Sequence, residues 1–188
     1  MDREQILKRL RDATLEPYQL GLSFQSPMIA PVEERCVPLP AGPLRFVVEA
    51  RHLDDNAVSG TLGSDPSEGN DGTVFDDYGP TLHVYGAEDG IEHLRFDCFA
   101  HKPHYHYVHG DGAANTVCRI DQYAEGDPVE WTIGRLRGRL PEMLDHCGLP
   151  DLAQEVRAEQ VTIQAAVEDV AQLLREARQR ARAERASV

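Results

Sequence analysis

Apolar and polar residues alternate through the middle of the chain, near residues 44–121, and this alternation predicts a β-sheet. The predicted strands are 44–53, 81–86, 91–101, 104–109 and 115–121. The second and third strands are joined by Ala-Glu-Asp-Gly, a turn in which Gly90 can take a positive φ. Because the links are too short to contain crossover helices, we expect a mostly antiparallel sheet.

Helical spacing replaces this alternation at both ends of the chain. Residues 2–10 predict a short amphipathic helix. Asp127 and Glu130 form a D-x-x-E capping box that predicts the start of another helix at Pro128. Pro141 is expected to kink or restart this second helix.

A final helix is predicted from Pro150 to beyond Arg180. The apolar residues of this helix recur at alternating steps of four and three residues, which is typical of a heptad seam. The seam positions are Val156, Gln160, Ile163, Val167, Val170, Leu174, Ala177 and Ala181. Because a small sheet is not expected to cover so long a stripe, the seam predicts a helical partner. That partner is either residues 128–147 or another subunit in a homo- or hetero-oligomer.

These elements predict an α+β fold: a mostly antiparallel β-sheet core with a short N-terminal helix and a C-terminal helical hairpin or long helix. We expect two regions along the chain. Residues 1–126 hold the N-terminal helix and the sheet domain that carries the histidines, and residues 127–188 form a helical C-terminal region.

The acidic charge of the chain is concentrated in one stretch. The 188 residues have a formal net charge of −13, which argues against nucleic acid as a main partner because phosphates are repelled. Residues 54–80 contain six Asp and one Glu but no Lys, Arg or His. This composition predicts a mobile loop, with calcium binding as the alternative, although the spacing of an EF-hand is absent.

The chain carries no sign of export or membrane insertion. Its first residues lack the apolar run of a signal peptide, and no stretch approaches the roughly 20 apolar residues of a membrane span. The four cysteines are far apart and form no C-x-x-C pair, so neither a disulfide framework nor a zinc ribbon is indicated. We therefore expect a cytoplasmic protein, and 17 Arg among 19 basic residues are typical of a GC-rich bacterial genome.

Six of the eight histidines lie within residues 83–109. Imidazole is the commonest protein ligand of zinc, copper, iron and nickel. His104 and His106 are two residues apart on a predicted strand, so both rings project from one face of the sheet. Simple alternation along strand 91–101 also places His93 and Asp97 on one face. The pattern predicts a divalent transition-metal site on this hairpin.

The predicted metal ligands are His104 and His106, then His83, with Asp97 or His101 completing the set. In a catalytic site, Asp97 or Tyr107 would orient water or substrate. The alternative is that the histidines are structural and only form local hydrogen bonds in an exposed hairpin.

The runs LRFDCF and PHYHY lie within residues 79–107. This segment resembles a pattern found in a family of bacterial proteins of similar size and unknown activity. The resemblance implies that Asp97, His104 and His106 belong to one motif. A looser likeness, carried by R-F-D and P-H-Y-H in the same segment, is to small bacterial toxin nucleases, and it implies ribonuclease activity.

Three functions follow from these patterns. The first is a metal-binding protein, either a metal-dependent enzyme or a metal-binding small subunit of a complex. The alternative is a non-enzymatic assembly protein that uses its C-terminal helix, and the third is a small toxin-like RNase. Nucleophilic hydrolases and nucleotide-binding proteins are set aside, since G-x-S-x-G, phosphate-loop and dinucleotide motifs are absent.

Overall fold

The computed structural model of the chain describes residues 22–24, 28–54, 76–109, 112 and 114–186. The predicted helix over residues 2–10 lies outside these ranges. So does most of the predicted loop over 54–80, together with its calcium alternative. Within the described ranges, no helix is long and apolar enough to cross a membrane.

A seven-stranded antiparallel sheet forms the centre of the described chain. Its strands are β1 (Leu22–Phe24), β2 (Cys36–Ala41), β3 (Leu44–Asp54), β4 (Asp76–Gly86), β5 (Glu92–Asp97), β6 (His104–His109) and β7 (Ala114–Arg119). They lie in the order β1-β7-β6-β5-β4-β3-β2, so β2 to β7 form a meander and β1 pairs with β7. The predicted antiparallel sheet is therefore confirmed, and Gly90 in the β4–β5 turn has the positive φ that the turn requires, 67°.

Helices follow the sheet in sequence, as predicted for an α+β fold. They are α1 (Gln122–Glu125), α2 (Pro128–Gly138), α3 (Leu140–His146), α4 (Pro150–Ala158) and α5 (Gln160–Arg185). The single helix predicted from Pro150 onward is interrupted at Glu159, which has φ −101° and ψ 28°. The break separates α4, which packs on α3, from α5, which packs on β2, β3 and β4.

One face of the sheet and the helices together enclose the hydrophobic core. Helix α5 lies on β2–β4 and against α2, so it buries its apolar stripe within the chain. The buried members are Ile163, Ala166, Val167, Val170, Ala171, Leu174, Ala177 and Ala181. Both the sheet and residues 128–138 therefore cover the predicted seam, and an oligomer formed through the C-terminal helix stays a prediction.

The start of α2 confirms the predicted cap at Asp127. Its Oδ1 accepts hydrogen bonds from the backbone N–H groups of Val129 and Glu130, at 3.0 and 3.1 Å. The Glu130 side chain does not complete the capping box, because it accepts two hydrogen bonds from Arg175 on α5. Asp127 also accepts one from Arg178 at 2.6 Å. These contacts join α2 to the basic end of α5.

Strand β4 begins at Asp76, although the sequence favoured a loop as far as Pro80. The strand tolerates Asp77 because its buried carboxylate, 2% exposed, has hydrogen-bond donors around it. The donors are the backbone N–H groups of Tyr78, His101 and Lys102. A side chain at Gly79 would collide with the backbone at Cys98, so glycine permits β4 to lie close to the segment that follows β5.

A β-bulge changes the face that the residues at the start of β5 occupy. Val84 pairs with Leu94 but Tyr85 pairs with Glu92, so His93 has no partner in register. Simple alternation placed His93 on the face of Asp97, whereas the bulge puts Glu92 on that face, where it contacts His83 and Arg95. Strand β5 then ends at Asp97, four residues earlier than predicted.

Candidate metal centre

The sheet face that points away from the helices carries polar side chains, and most of them are buried. The buried members are Glu49, Arg51, Thr81, His83, Arg95, Asp97 and Asn115. The segment before β2 lies over part of this face, since Ile29 O accepts hydrogen bonds from Arg51 and Arg95, each at 2.8 Å. Buried charged groups are stable only when they are paired and hydrogen-bonded, so this face is a connected polar network.

Strand register places one carboxylate and two imidazoles next to each other on this face. Asp97 at the end of β5 is the direct partner of His104 at the start of β6. His106 pairs with Arg95 and lies diagonally across from Asp97. Strand β6 has the predicted bounds, 104–109, so the H-x-H spacing puts both rings on the side of the carboxylate.

The three side chains converge on one carboxylate oxygen. Oδ2 of Asp97 lies 3.4 Å from Nε2 of His104 and 3.2 Å from Nε2 of His106. One possible ligand atom from each residue lies within 4.8 Å of the other two. Two atoms that bind one metal ion at about 2.1 Å are about 3.0–3.4 Å apart at octahedral to tetrahedral angles. The Asp97–His104–His106 triad could therefore hold a metal ion.

Hydrogen bonds orient both imidazoles for this role. Nδ1 of His104 lies 2.7 Å from the carbonyl oxygen of Lys102, and Nδ1 of His106 lies 2.9 Å from Oδ1 of Asn115. Both oxygens are acceptors, so each Nδ1 donates a proton and Nε2 is the nitrogen that is available as a metal ligand. Histidines that bind metals usually have such a partner on the other ring nitrogen, which sets both the tautomer and the ring orientation.

Asp97 is held in the ionised form that a metal ligand needs. Asp97 is 4% exposed, and Oδ1 accepts a hydrogen bond from the Thr81 hydroxyl at 2.7 Å, which leaves Oδ2 towards the rings. Burial alone would raise the pKa of Asp97. The hydrogen bond from His106 and the positive charges of His104, His106 and Arg95 outweigh burial and hold the pKa well below its usual range.

The loop between β5 and β6 is fixed from β4. The Asp77 carboxylate accepts hydrogen bonds from the backbone N–H groups of His101 and Lys102, at 3.1 and 2.8 Å. The same Lys102 offers its carbonyl oxygen to His104. A buried carboxylate on β4 therefore positions the backbone that orients one ring of the triad.

A second polar cluster lies beside the triad on the same face. His83 Nδ1 donates to Glu92 at 2.7 Å and His83 Nε2 donates to Glu49 at 3.2 Å, while Arg95 binds Glu92 through two nitrogens. Burial alone would lower the pKa of His83, but the hydrogen bonds to Glu49 and Glu92 raise it above 6.5. Burial alone would raise the pKa of Glu92, but the hydrogen bonds from Arg95 and His83 lower it to about 2.

The structure brings Asp97, His104 and His106 together but places the other predicted site residues elsewhere. His83 has both ring nitrogens bonded to glutamates. His101 is exposed in the β5–β6 loop. Tyr107 belongs to the hydrophobic core on the helix side of the sheet, because it follows His106 directly and a strand alternates its faces.

The sequence did not single out Thr81 and Asn115, which support the triad from β4 and β7. Asn115 is 3% exposed in a strand, where asparagine is uncommon, and a buried amide needs partners. A polar residue at an inward position of a strand is therefore the signal that could have found it. The backbone carbonyl of Lys102 has no such signal, since any residue supplies one.

A family model matches residues 38–174 of the chain, a range that includes β3 to β7 and the whole triad. The chain belongs to the family described as Domain of unknown function (DUF7700). The match contains the segment 79–107 whose motif resembles a family of unknown activity, and the family brings no activity to the triad. Searches of curated proteins and of solved structures found no significant match to this chain.

Proposed function

We propose that this protein binds one divalent transition metal through Asp97, His104 and His106 and uses it in a metal-dependent reaction. The observation that carries the proposal is the convergence of two Nε2 atoms on Oδ2 of Asp97, with both Nδ1 protons donated to oxygen atoms. Without a metal ion, protons on Nε2 pair the rings with the Asp97 carboxylate, as in the 3.2 Å hydrogen bond from His106. A metal ion would take the place of these protons, because all three atoms are then ligands.

The donor set favours zinc or iron among the predicted metals. Two imidazole nitrogens and one carboxylate oxygen are the ligands of many catalytic zinc sites and of iron(II) sites that activate small molecules. Three protein ligands leave at least one coordination position for water or substrate, which distinguishes a catalytic site from a closed structural one. The set contains no thiolate, and the buried Cys98 has its pKa raised by burial to about 12.

Elemental analysis of untagged protein tests this proposal. We expect close to one equivalent of zinc or iron per chain in the wild type, and less than about a tenth of that in a His104→Ala/His106→Ala double mutant. A matched double mutant, His101→Ala/His109→Ala, removes two histidines of the same hairpin that are outside the triad.

The control should keep its metal. The proposal is wrong if the wild type stays metal-free after dialysis against zinc and against iron(II) under anaerobic conditions. It is also wrong if the control loses as much metal as the triad mutant while both proteins keep the wild-type circular dichroism spectrum.

A further inference from the structure

A cavity of about 730 Å³ opens beside the triad. His104, Val117 and Arg119 line it, and they belong to β6 and β7. Its other lining residues come from the β5–β6 loop and from the start of the helical region, including Lys102 and Asp121. One triad ligand therefore belongs to the wall of a cavity large enough for a small organic molecule.

Strand register brings Arg119 next to the metal ligands. Arg119 is the direct partner of His104, and Val117 is the direct partner of His106. Direct partners on one face of an antiparallel pair have Cβ atoms about 4.5–5.5 Å apart. His104 is also the more exposed imidazole of the triad, with 22% of its side chain exposed against 11% for His106. A molecule in the cavity can thus contact Arg119 and the neighbourhood of His104 together.

The cavity is basic in a protein that is otherwise acidic. Arg119 and Lys102 line it, while the chain has a net charge of −13. Asp121 is the one carboxylate among the lining residues, and its Oδ1 accepts hydrogen bonds from the backbone N–H groups of Tyr123 and Ala124 at the start of α1. Arg119 forms no ion pair with any of the residues that the structure describes.

We propose that this cavity binds a small organic anion, with its carboxylate or phosphate group paired to Arg119 and the rest of the molecule next to the triad. A guanidinium group is suited to both anions because its N–H groups form two parallel hydrogen bonds with either one. This inference rests on the proposed metal site for its chemistry, since it assigns the substrate class of the reaction. Val117 and the aromatic ring of Phe99 give the cavity its apolar part.

Calorimetric titrations with benzoate, inorganic phosphate and benzamide test the inference. Benzamide is the control because it has nearly the shape of benzoate but no charge. Each compound is titrated into the full chain twice, once after metal removal and desalting and once after loading with Co²⁺. The visible absorption of cobalt shows separately whether the triad has bound the ion.

We expect benzoate or phosphate to bind and benzamide to bind at least about tenfold more weakly. The variant Arg119→Gln should weaken anion binding about tenfold or more, Arg119→Lys should restore part of it, and Arg180→Gln should not change it. Arg180 is the matched control because it is an exposed arginine outside the cavity lining. Binding of benzoate alone assigns a carboxylate, and binding of phosphate alone assigns a phosphate ester.

The inference is overturned if neither anion binds, if benzamide binds as tightly as benzoate, or if Arg119→Gln binds the anions like the wild type. These outcomes are distinct from failure of the metal site. A chain that gives no cobalt absorption contradicts the proposed function, whereas loss of anion binding on Arg119→Gln in the metal-free protein still supports the anion site.

Discussion

One hydrogen bond to each ring orients His104 and His106 in the proposed metal site. Each ring has one nitrogen bonded to a protein oxygen, and the other lies near Asp97. The partner of His106 is a side chain, Asn115, so it can be changed by mutation, whereas the partner of His104 is a backbone carbonyl. Asn115 therefore offers a direct test of how much ring orientation contributes to metal binding.

Replacing Asn115 with leucine should weaken metal binding about 10- to 100-fold, because Nδ1 of His106 then loses its acceptor and the ring loses its fixed orientation. Leucine has nearly the same shape, so the buried site stays filled. Asn115→Asp is the control, since it keeps an acceptor oxygen and should hold the affinity within a few-fold of wild type. Zinc affinity is measured by competition with a fluorescent chelator, and equal affinity of the leucine variant and the wild type would contradict the role.

The packing partners of helix α5 are set by the topology of the chain. Its apolar stripe has the spacing of a coiled-coil seam, yet the stripe packs on β2, β3, β4 and α2. The bend at Glu159 makes this possible because α4 and α5 can take different directions. Leu174 in the stripe is fully buried, while Val161 at the start of α5 is 86% exposed.

Truncation of Leu174 to alanine should lower the free energy of unfolding by about 2–5 kcal/mol, because it removes buried methyl groups and leaves a cavity in the core. Val161→Ala should change it by no more than about 0.5 kcal/mol. Urea unfolding followed by circular dichroism measures both. Equal effects of the two substitutions would mean that the stripe is not buried in the folded chain.

At the scale of the whole molecule, buried charged groups should make the free energy of unfolding fall at both low and high pH. The folded-state pKa of Glu92 is lowered to about 2. Glu92 therefore contributes to stability above about pH 4.5, and this contribution is lost as the pH falls towards the folded-state pKa. The folded-state pKa of His83 is raised above 6.5, so its contribution is complete below that value and is lost as the pH rises through the folded-state pKa. Together they predict greatest stability between about pH 5 and 6.5.

Replacing His83 should reduce the loss of stability that accompanies a rise in pH. We expect the wild type to lose more free energy of unfolding between pH 6.5 and 8.5 than the His83→Gln variant, because only the wild type releases the His83 proton. Glutamine is chosen since it can still donate a hydrogen bond to one glutamate. Urea unfolding of both proteins in EDTA at each pH measures the difference, and parallel curves would show that His83 is neutral in the folded state.

Some features could be predicted because they depend on residues close together in sequence. Alternation located β6 within 104–109. The cap at Asp127 could be predicted because it bonds the backbone N–H groups two and three residues later in the sequence. The boundaries of β4 and the bulge at His93 could not be predicted in this way. The start of β4 depends on the backbone donors of His101 and Lys102 around Asp77, more than 20 residues along the chain, and the bulge depends on how β4 and β5 pair across their hairpin.

The sequence by itself determined that His104 and His106 share a face of an antiparallel hairpin, since a strand repeats every two residues. Only the tertiary structure decided that Asp97, rather than His83 or His101, meets them. Strand register sets that choice, and it also brings Asn115 and Arg119 to the same site. Register depends on which rows of side chains can be buried together, so it is a property of the assembled sheet and not of any single strand.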